Sequence, residues 1–353
     1  MRKIYLARHG HPDFLPGARI CLGRTDVPLG SLGRMQACLL GEILQQKKIS
    51  AVFASPLARC RQTAEAMHLP VTFVPDLVEQ NMGCWDGMDF DSIRASYPEL
   101  YQARKGNPLL VPEGAETLEK VKNRAMRAMM NCLENSTDDI AVVAHASVIQ
   151  AILSAIAGIP LAESFSLRLP YGAFSTLTDD GHFRISSLRE TPHPEMTPDL
   201  AEKLLSAAAP GERIIAHSRA VAEKAAEITD NLPLPLDRQK IVCAALLHDV
   251  ARTFPKHAEV GAEWLQILEY EEISSLVRQH HDLQSTNVDE AAILYISDKC
   301  IREDLPVTLE ERFRESALRC KNEEAVKVHT RRLQTAKKLQ QKINSLSGRE
   351  IIQ

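Results

Sequence analysis

The sequence predicts two domains of different class. Residues 1–190 read as an α/β unit with a mostly parallel sheet flanked by helices, and residues 199–353 as an all-α unit. Three observations predict this. Short apolar runs alternate with helix-period stretches through the first half, the pattern of βαβ units. Beyond residue 198 only helical periods remain. Between them, Thr191-Pro192-His193-Pro194-Glu195-Met196-Thr197-Pro198 holds three prolines in eight residues, a stiff linker over 191–198. At 353 residues the chain has room for two cores.

Lys3-Ile4-Tyr5-Leu6-Ala7 is the first, central strand, and it ends in Arg8-His9-Gly10. Ligands of open α/β sheets bind beyond the carboxyl ends of strands, so a nucleophile and a cation belong here. Gly10 is expected to let the backbone turn sharply and approach a ligand. A helix follows Ser31, its expected N-cap, with Leu32, Met35, Leu39, Leu40, Ile43 and Leu44 at helical spacing. Ala51–Ala54 is a strand ending in Ser55-Pro56, followed by a helix through Ala66 and a strand over 71–74. A polar stretch from Pro75 to Gly114 is given one short helix near 92–97. A long helix over 116–133, a strand over 140–144 ending at His145, and a helix marked by Val148, Ile149, Ile152 and Ile156 complete the first unit. In the second, helices are expected over 199–208, 213–231, 237–253, 257–268, 271–281, 287–302, 308–320 and 323–346. The last packs Leu333, Ala336, Leu339, Ile343 and Leu346 inward and keeps a solvated basic face.

Lys and Arg number 42 against 46 Asp and Glu, a net charge of −4, which gives no general affinity for nucleic acid or membranes. No apolar run approaches a membrane span and no signal-peptide core precedes the first strand, so a cytoplasmic protein is expected. Eight cysteines are scattered singly and are expected as buried, reduced thiols.

Phosphoryl transfer to a histidine needs an imidazole nucleophile, cations for the phosphoryl oxygens and an acid for the leaving oxygen. Strand ends supply each: Arg8 and His9, then Arg59 after Ser55-Pro56-Leu57-Ala58, then His145, with Glu79 on the loop after the third strand. Together with Gly23-Arg24-Thr25-Asp26-Val27-Pro28-Leu29, Gln62-Thr63-Ala64, Glu79 through Gly87 and Glu113-Gly114-Ala115-Glu116-Thr117, these stretches resemble the histidine phosphatase (phosphoglycerate mutase-like) superfamily. The resemblance implies that His9 becomes phosphohistidine, that Arg8, Arg59 and His145 hold the phosphate, that Glu79 is the proton donor, and that no cofactor is needed. The sequence departs from the family at His11-Pro12 and at Ala146-Ser147. Gly83-Cys84-Trp85-Asp86-Gly87 is similar to small phosphatases of the α-ribazole phosphatase type rather than to mutases.

In the helical unit, His217, His248, Asp249 and Asp298 fall on apolar faces. A carboxylate facing a core is costly unless paired or metal-bound, and three helices each turning His or Asp inward read as one metal site. The mixture suits a divalent ion such as Mn, Fe, Co, Ni or Zn. The pattern His217…His248-Asp249…Asp298 resembles the HD superfamily of metal-dependent phosphohydrolases, including bacterial members that hydrolyse symmetrical dinucleoside tetraphosphates. That resemblance places His257 and His280 as extra ligands, with His281 an equal candidate for the role of His280. The expectation is a bifunctional phosphohydrolase acting on small phosphate esters or nucleotides. Its rivals are a regulatory HD unit and a first unit reduced to a phospho-ligand scaffold.

Overall fold

Strand β1 (Arg2–Arg8) sits inside a six-stranded sheet because both of its faces are apolar: Ile4 and Leu6 face one core, Tyr5 and Ala7 the other. The computed structural model describes residues 2–14, 18–283 and 285–353. The chain divides into Met1–Pro194 and Glu195–Gln353. In the first unit β1 is followed by α1 (Ser31–Gln45), β2 (Ile49–Ala54), α2 (Ala58–Glu65) and β3 (Val71–Phe73). Then come α3 (Phe90–Ser96), α4 (Pro98–Gly106), α5 (Leu118–Glu134), β4 (Asp139–Ala144), α6 (Ala146–Ala157), β5 (Phe174–Asp179) and β6 (Phe183–Glu190). Strand order is β3-β2-β4-β1-β5-β6, with β1, β2, β3 and β4 parallel and β5 antiparallel to β1. Register pairs Arg8 with Ala144 and Ala54 with Val143. The parallel strands therefore deliver His9, Ser55 and His145 to one edge.

Several expectations are corrected. The sequence reading stops its strands at residue 144, whereas β5 and β6 form a hairpin on the β1 side. Its signals are the turn Asp180-Gly181, with Gly181 at φ 99°, and alternating Phe183 and Ile185. Helix α4 is also absent from that reading. Ser31 is not the N-cap: Gly30 holds that position in extended conformation, and the Ser31 hydroxyl accepts from Arg34. Gly10 serves a close approach of a different kind. A Cβ there would lie 2.3 Å from the Gly33 carbonyl oxygen, so glycine lets α1 pack against the strand end. Cys84 is exposed, unlike the buried Cys21, Cys60, Cys132, Cys243 and Cys300.

The second unit contains α7 (Pro198–Ala208), α8 (Glu212–Asp230), α9 (Arg238–Leu247), α10 (His257–Ile267), α11 (Glu271–Gln279) and α12 (Glu290–Lys299). They are followed by β7 (Ile301–Arg302), β8 (Leu305–Pro306), α13 (Leu309–Ala317) and α14 (Glu323–Ser347). Helix-rich rather than all-helical describes it, since β7 and β8 pair as a two-residue hairpin where a helix to 302 is expected. Side-chain caps from Thr197, Asp237, Asp289, Thr308 and Asn322 start five of the helices, each contributing about 1 kcal/mol. The helix expected over 237–253 stops at Leu247. From there the backbone turns tightly, with Val250 N–H donating to Leu247, Arg252 to Asp249 and Phe254 to Ala251. Pro255 disfavours helical backbone at Phe254. In α14 the inward stripe is Ala336, Leu339 and Ile343, whereas Leu346 is exposed. Among the described residues no single helix is long and apolar enough to cross a membrane.

Candidate functional sites

At the carboxyl edge of the sheet, His9 N–H donates to the Ala144 carbonyl (3.2 Å), and its own carbonyl accepts from Gly172 (3.1 Å). Its Nδ1 lies 2.7 Å from the Gly10 carbonyl oxygen. A carbonyl only accepts, so Nδ1 carries the proton and Nε2 keeps its lone pair. Burial, with Arg59 and Arg8 nearby, holds the imidazole well below its ordinary pKa. The ring is thus neutral, with its lone pair free at Nε2.

The two arginines are anchored from behind. Arg8 donates to the Leu169 carbonyl (2.6 Å) and lies 3.8 Å over the Tyr171 ring. Arg59, fully buried, donates to the Gly23 and Thr25 carbonyls (2.8 and 3.0 Å). Both leave a buried Nε without a partner among the described residues. An unmet buried donor costs on the order of 1–3 kcal/mol, so these atoms mark where an anion fits. His145, the N-cap of α6, packs edge-on to His9 at 5.0 Å between ring centroids. Its Nε2 is 2.8 Å from Ser55 Oγ and 3.4 Å from Cys60 Sγ.

Glu79 stands on the loop after β3. Burial raises its pKa, although the Gln80 N–H (2.8 Å) and Arg59 pull the other way, and the Ser147 N–H also donates to it (3.4 Å). A carboxyl group so placed holds a proton nearer to neutrality than usual. Arg124 on α5 positions this loop with all five of its donors. They reach the carbonyls of Asp76 (2.6 Å), Val78 (2.7 Å) and Glu79 (3.2 Å) and both oxygens of Glu116 (2.8 and 3.0 Å). Sequence reasoning gave no role to Ser55, Cys60, Tyr171 or Arg124, although Ser55 opens the stretch it singled out through Arg59 and Cys60 follows directly.

Trp85 and Asp86 have structural employment. Trp85 is in a small core with Cys21, Met82 and Ile93. The Asp86 carboxylate accepts the backbone N–H groups of Gly23, Arg24 and Thr25 (2.8, 2.8 and 3.1 Å). The motif therefore braces the segment that holds Arg59.

The helical unit gathers a second cluster. His217 on α8 donates Nδ1–H to the Glu303 carbonyl (2.6 Å), His248 to Ala245 (2.7 Å) and His280 to Val277 (2.6 Å). For His248 and His280 the carbonyl partner leaves Nε2 as the lone-pair atom, the usual arrangement of a ligating histidine; burial lowers the His217 pKa, but the hydrogen bond from its Nε2 to Asp298 outweighs it and raises it. Among the described residues, Nε2 of His248 and of His280 is buried without a partner, as is Asp249 Oδ1 by hydrogen-bond geometry. Asp249 faces both sides: Oδ2 is 3.6 Å from His248 Nε2, whereas Oδ1 is 3.1 Å from His257 Nε2 and 3.7 Å from His280 Nε2. Asp298 Oδ1 is 3.2 Å from His217 Nε2 and 3.8 Å from His248 Nε2, and its Oδ2 pairs with Lys299.

His281 Nε2 is 2.9 Å from His257 Nε2, so His280 and His281 both lie in the cluster. Two groups of mutually close ligand atoms result, His217-His248-Asp249 and His257-His280-His281. Burial raises the Asp249 and Asp298 carboxyls, but His248 and His257 around the first and Lys299 and His217 around the second outweigh it, and both are held well below the carboxylate range. Burial, with His248 nearby, pushes His280 down to about 3. Imidazole nitrogens beside ionised carboxylates are the donor set of a divalent metal, so the residues present fit such an ion. Lys299 is the addition to which sequence reasoning gave no role, and it adjoins Asp298.

A family model described as histidine phosphatase superfamily (branch 1) matches residues 4–191, and a model of the HD domain matches 214–303. The chain is 29% identical over 163 residues to the uncharacterized phosphatase PhoE of Bacillus subtilis (strain 168), covering 45% of this chain and 79% of that protein. To the phosphoserine phosphatase 1 of Hydrogenobacter thermophilus it is 28% identical over 183 residues, covering 50% of this chain and 86% of that protein. Among solved structures, one titled mycobacterial hydrolase 2 aligns with a TM-score of 0.51 at 25% identity, covering 59% of this chain and 97% of that one.

Proposed function

The chain belongs to the histidine phosphatase superfamily, carries an HD domain and is a hydrolase acting on phosphate esters; from that premise we propose that it is bifunctional, with a phosphohistidine phosphomonoesterase in its first unit and a metal-dependent phosphohydrolase in its second. The pinned His9 Nδ1–H carries the first half of the reading, because it directs the only available lone pair of a neutral imidazole to the reacting face. Nε2 attacks phosphorus as the ester P–O bond breaks, with Arg8, Arg59 and His145 meeting the phosphoryl oxygens. Glu79 gives its proton to the departing alcohol oxygen. Water then attacks the phosphohistidine and yields a proton to the Glu79 carboxylate. The P–N electrons return to Nε2 as phosphate leaves. The α-ribazole-type ester remains within this class, and the bracing role of Trp85 and Asp86 leaves the alcohol to be selected by other side chains.

In the second unit His217, His248, Asp249 and Asp298 would hold a divalent ion (Mn, Fe, Co, Ni or Zn), with His257, His280 and His281 available to a second. Bound there, such an ion supplies charge neutralisation at the phosphoryl group and a water of lowered pKa. The residues themselves orient those donors: the three Nδ1–H bonds fix ring rotation, and Lys299 occupies Asp298 Oδ2, leaving Oδ1 as the oxygen that would face an ion. The substrate is a nucleotide or other phosphate ester. Rapid quenching with an aryl phosphate and mass mapping of the trapped adduct tests the first half. Acid-labile phosphate on His9 is expected, and turnover with no adduct on His9 would overturn it.

A further inference from the structure

The segment Gly23-Arg24-Thr25 is held from both sides by its backbone. Its carbonyls at Gly23 and Thr25 grip Arg59, and its three N–H groups lie on the Asp86 carboxylate. Its middle side chain has no such employment. Arg24 Nε reaches the Glu79 carbonyl and Nη2 reaches Glu116 Oε2, each at 3.4 Å, beyond the usual range for such bonds. The Glu116 carboxylate already accepts two shorter bonds from Arg124, at 2.8 and 3.0 Å. The Arg24 side chain is 46% exposed. A loosely paired guanidinium thus stands on a rigid segment between the Arg59 anchor and the proton donor.

Its position assigns its partner. Arg24 meets the backbone carbonyl of Glu79 and not its carboxyl; because Glu79 protonates the leaving oxygen, a half-exposed cation on that loop is placed to meet the alcohol part of the ester rather than the transferred phosphoryl group. Resting on that reading of His9 and Glu79, we propose that Arg24 is a specificity-determining residue that binds an anionic substituent on the leaving alcohol. The preferred substrates are then phosphomonoesters whose alcohol carries a carboxylate or a second phosphate. A guanidinium suits either, because its planar fork takes two oxygens at once.

The test uses the full chain and a matched pair, 3-phosphoglycerate and glycerol 3-phosphate, which differ by a carboxylate in place of a hydroxymethyl group. Glycerol 1,3-bisphosphate supplies the phosphate arm, and comparison of the two anionic esters identifies which anion is read. The wild type is expected to favour one anionic ester in kcat/KM by about 10- to 100-fold. Arg24→Gln should collapse that ratio to within about 3-fold, with Arg24→Lys intermediate. Raising the ionic strength should erode the wild-type preference. No preference for either anionic ester, or an equal loss on all three substrates in Arg24→Gln, would overturn the proposal. His9→Ala is the control for the underlying reading. Activity that survives His9→Ala removes that reading, whereas His9-dependent turnover indifferent to Arg24 removes only the subsite.

Discussion

The site at the sheet edge and the site among the helices both use histidines whose Nδ1–H is tied to a backbone carbonyl. In the first, His9 leans on Gly10. In the second, His217, His248 and His280 lean on Glu303, Ala245 and Val277. What differs is the charge that surrounds the free Nε2. Around His9 stand two buried arginines with orphaned Nε donors and one carboxyl group whose pKa burial raises. Around His248 stand two carboxylates held ionised. The first pocket is complementary to a phosphoryl group, and its imidazole can act on it directly. The second is electron-rich and suits a cation before it suits an anion. The same side chain is therefore suited to attack in one setting and to ligation in the other, and the charge balance around it rather than the residue type makes the difference.

The largest effect that sharpens this contrast is at His9. His9→Ala should lower the phosphatase activity of the first unit by at least about 10⁴-fold. Chelators should leave the wild-type activity of that unit unchanged, since Arg8 and Arg59 already supply the positive charge. Steady-state rates with and without EDTA check both, and chelator-sensitive activity surviving the substitution would break the comparison.

Glu79 comes next. Glu79→Gln should lower kcat/KM by about 10²–10⁴-fold for alkyl phosphates and far less for aryl phosphates, whose leaving oxygen needs no proton. The acid form is the donor, so kcat/KM for alkyl esters should fall as pH rises through the raised Glu79 pKa. In Glu79→Gln that limb should vanish. A pH–rate profile with both substrate types reads this directly.

For the electron-rich site, Asp249→Ala removes the carboxylate that faces both ligand groups. Metal at about 100 times its Kd stabilises a native state by about 2.7 kcal/mol, and this increment should be lost. Calorimetry with and without metal, alongside metal analysis of the purified protein, measures it; an unchanged metal content would refute the ligand assignment. A smaller effect is expected from Arg124→Lys, because an ammonium cannot replace five fixed donors. Alkyl phosphate turnover should drop about 10-fold relative to aryl phosphate turnover as Glu79 loses its support. Equal loss on both substrates would make Arg124 merely structural.

The smallest effect concerns the linker. Fragments 1–194 and 195–353, the second keeping the Thr197 cap of α7, should each unfold cooperatively with little change in midpoint. Each contains one of the two tryptophans, Trp85 or Trp264, both buried, so fluorescence reports on each separately. A fragment that stays unfolded alone would move the boundary or show the units to be interdependent.

Much of this was legible in the linear chain because it depends on local pattern. The apolar runs at residues 3–7 and 140–144 dictate central strands, and a strand end at a sheet edge is where His9, Arg8 and His145 acquire meaning. His217 and Asp298 announce themselves as polar groups on apolar helix faces, and His248 and Asp249 as polar groups at the end of an apolar run, a placement too costly to be idle; that α9 ends at Leu247 and sets His248 and Asp249 in a turn beyond it was decided by the fold. Tertiary structure alone decided what distant segments do to one another. Arg124 lies 45 residues from Glu79 yet holds its carbonyl, and no local periodicity encodes a bond closed across that separation. Gly10 is glycine because Gly33 approaches it, and Asp86 matters because it grips residues 23–25. Ring tautomers were decided there too, since only the folded backbone brings a carbonyl to each Nδ1. Residue types set which chemistry was available; packing set the charge around each imidazole, and that charge separates nucleophile from ligand.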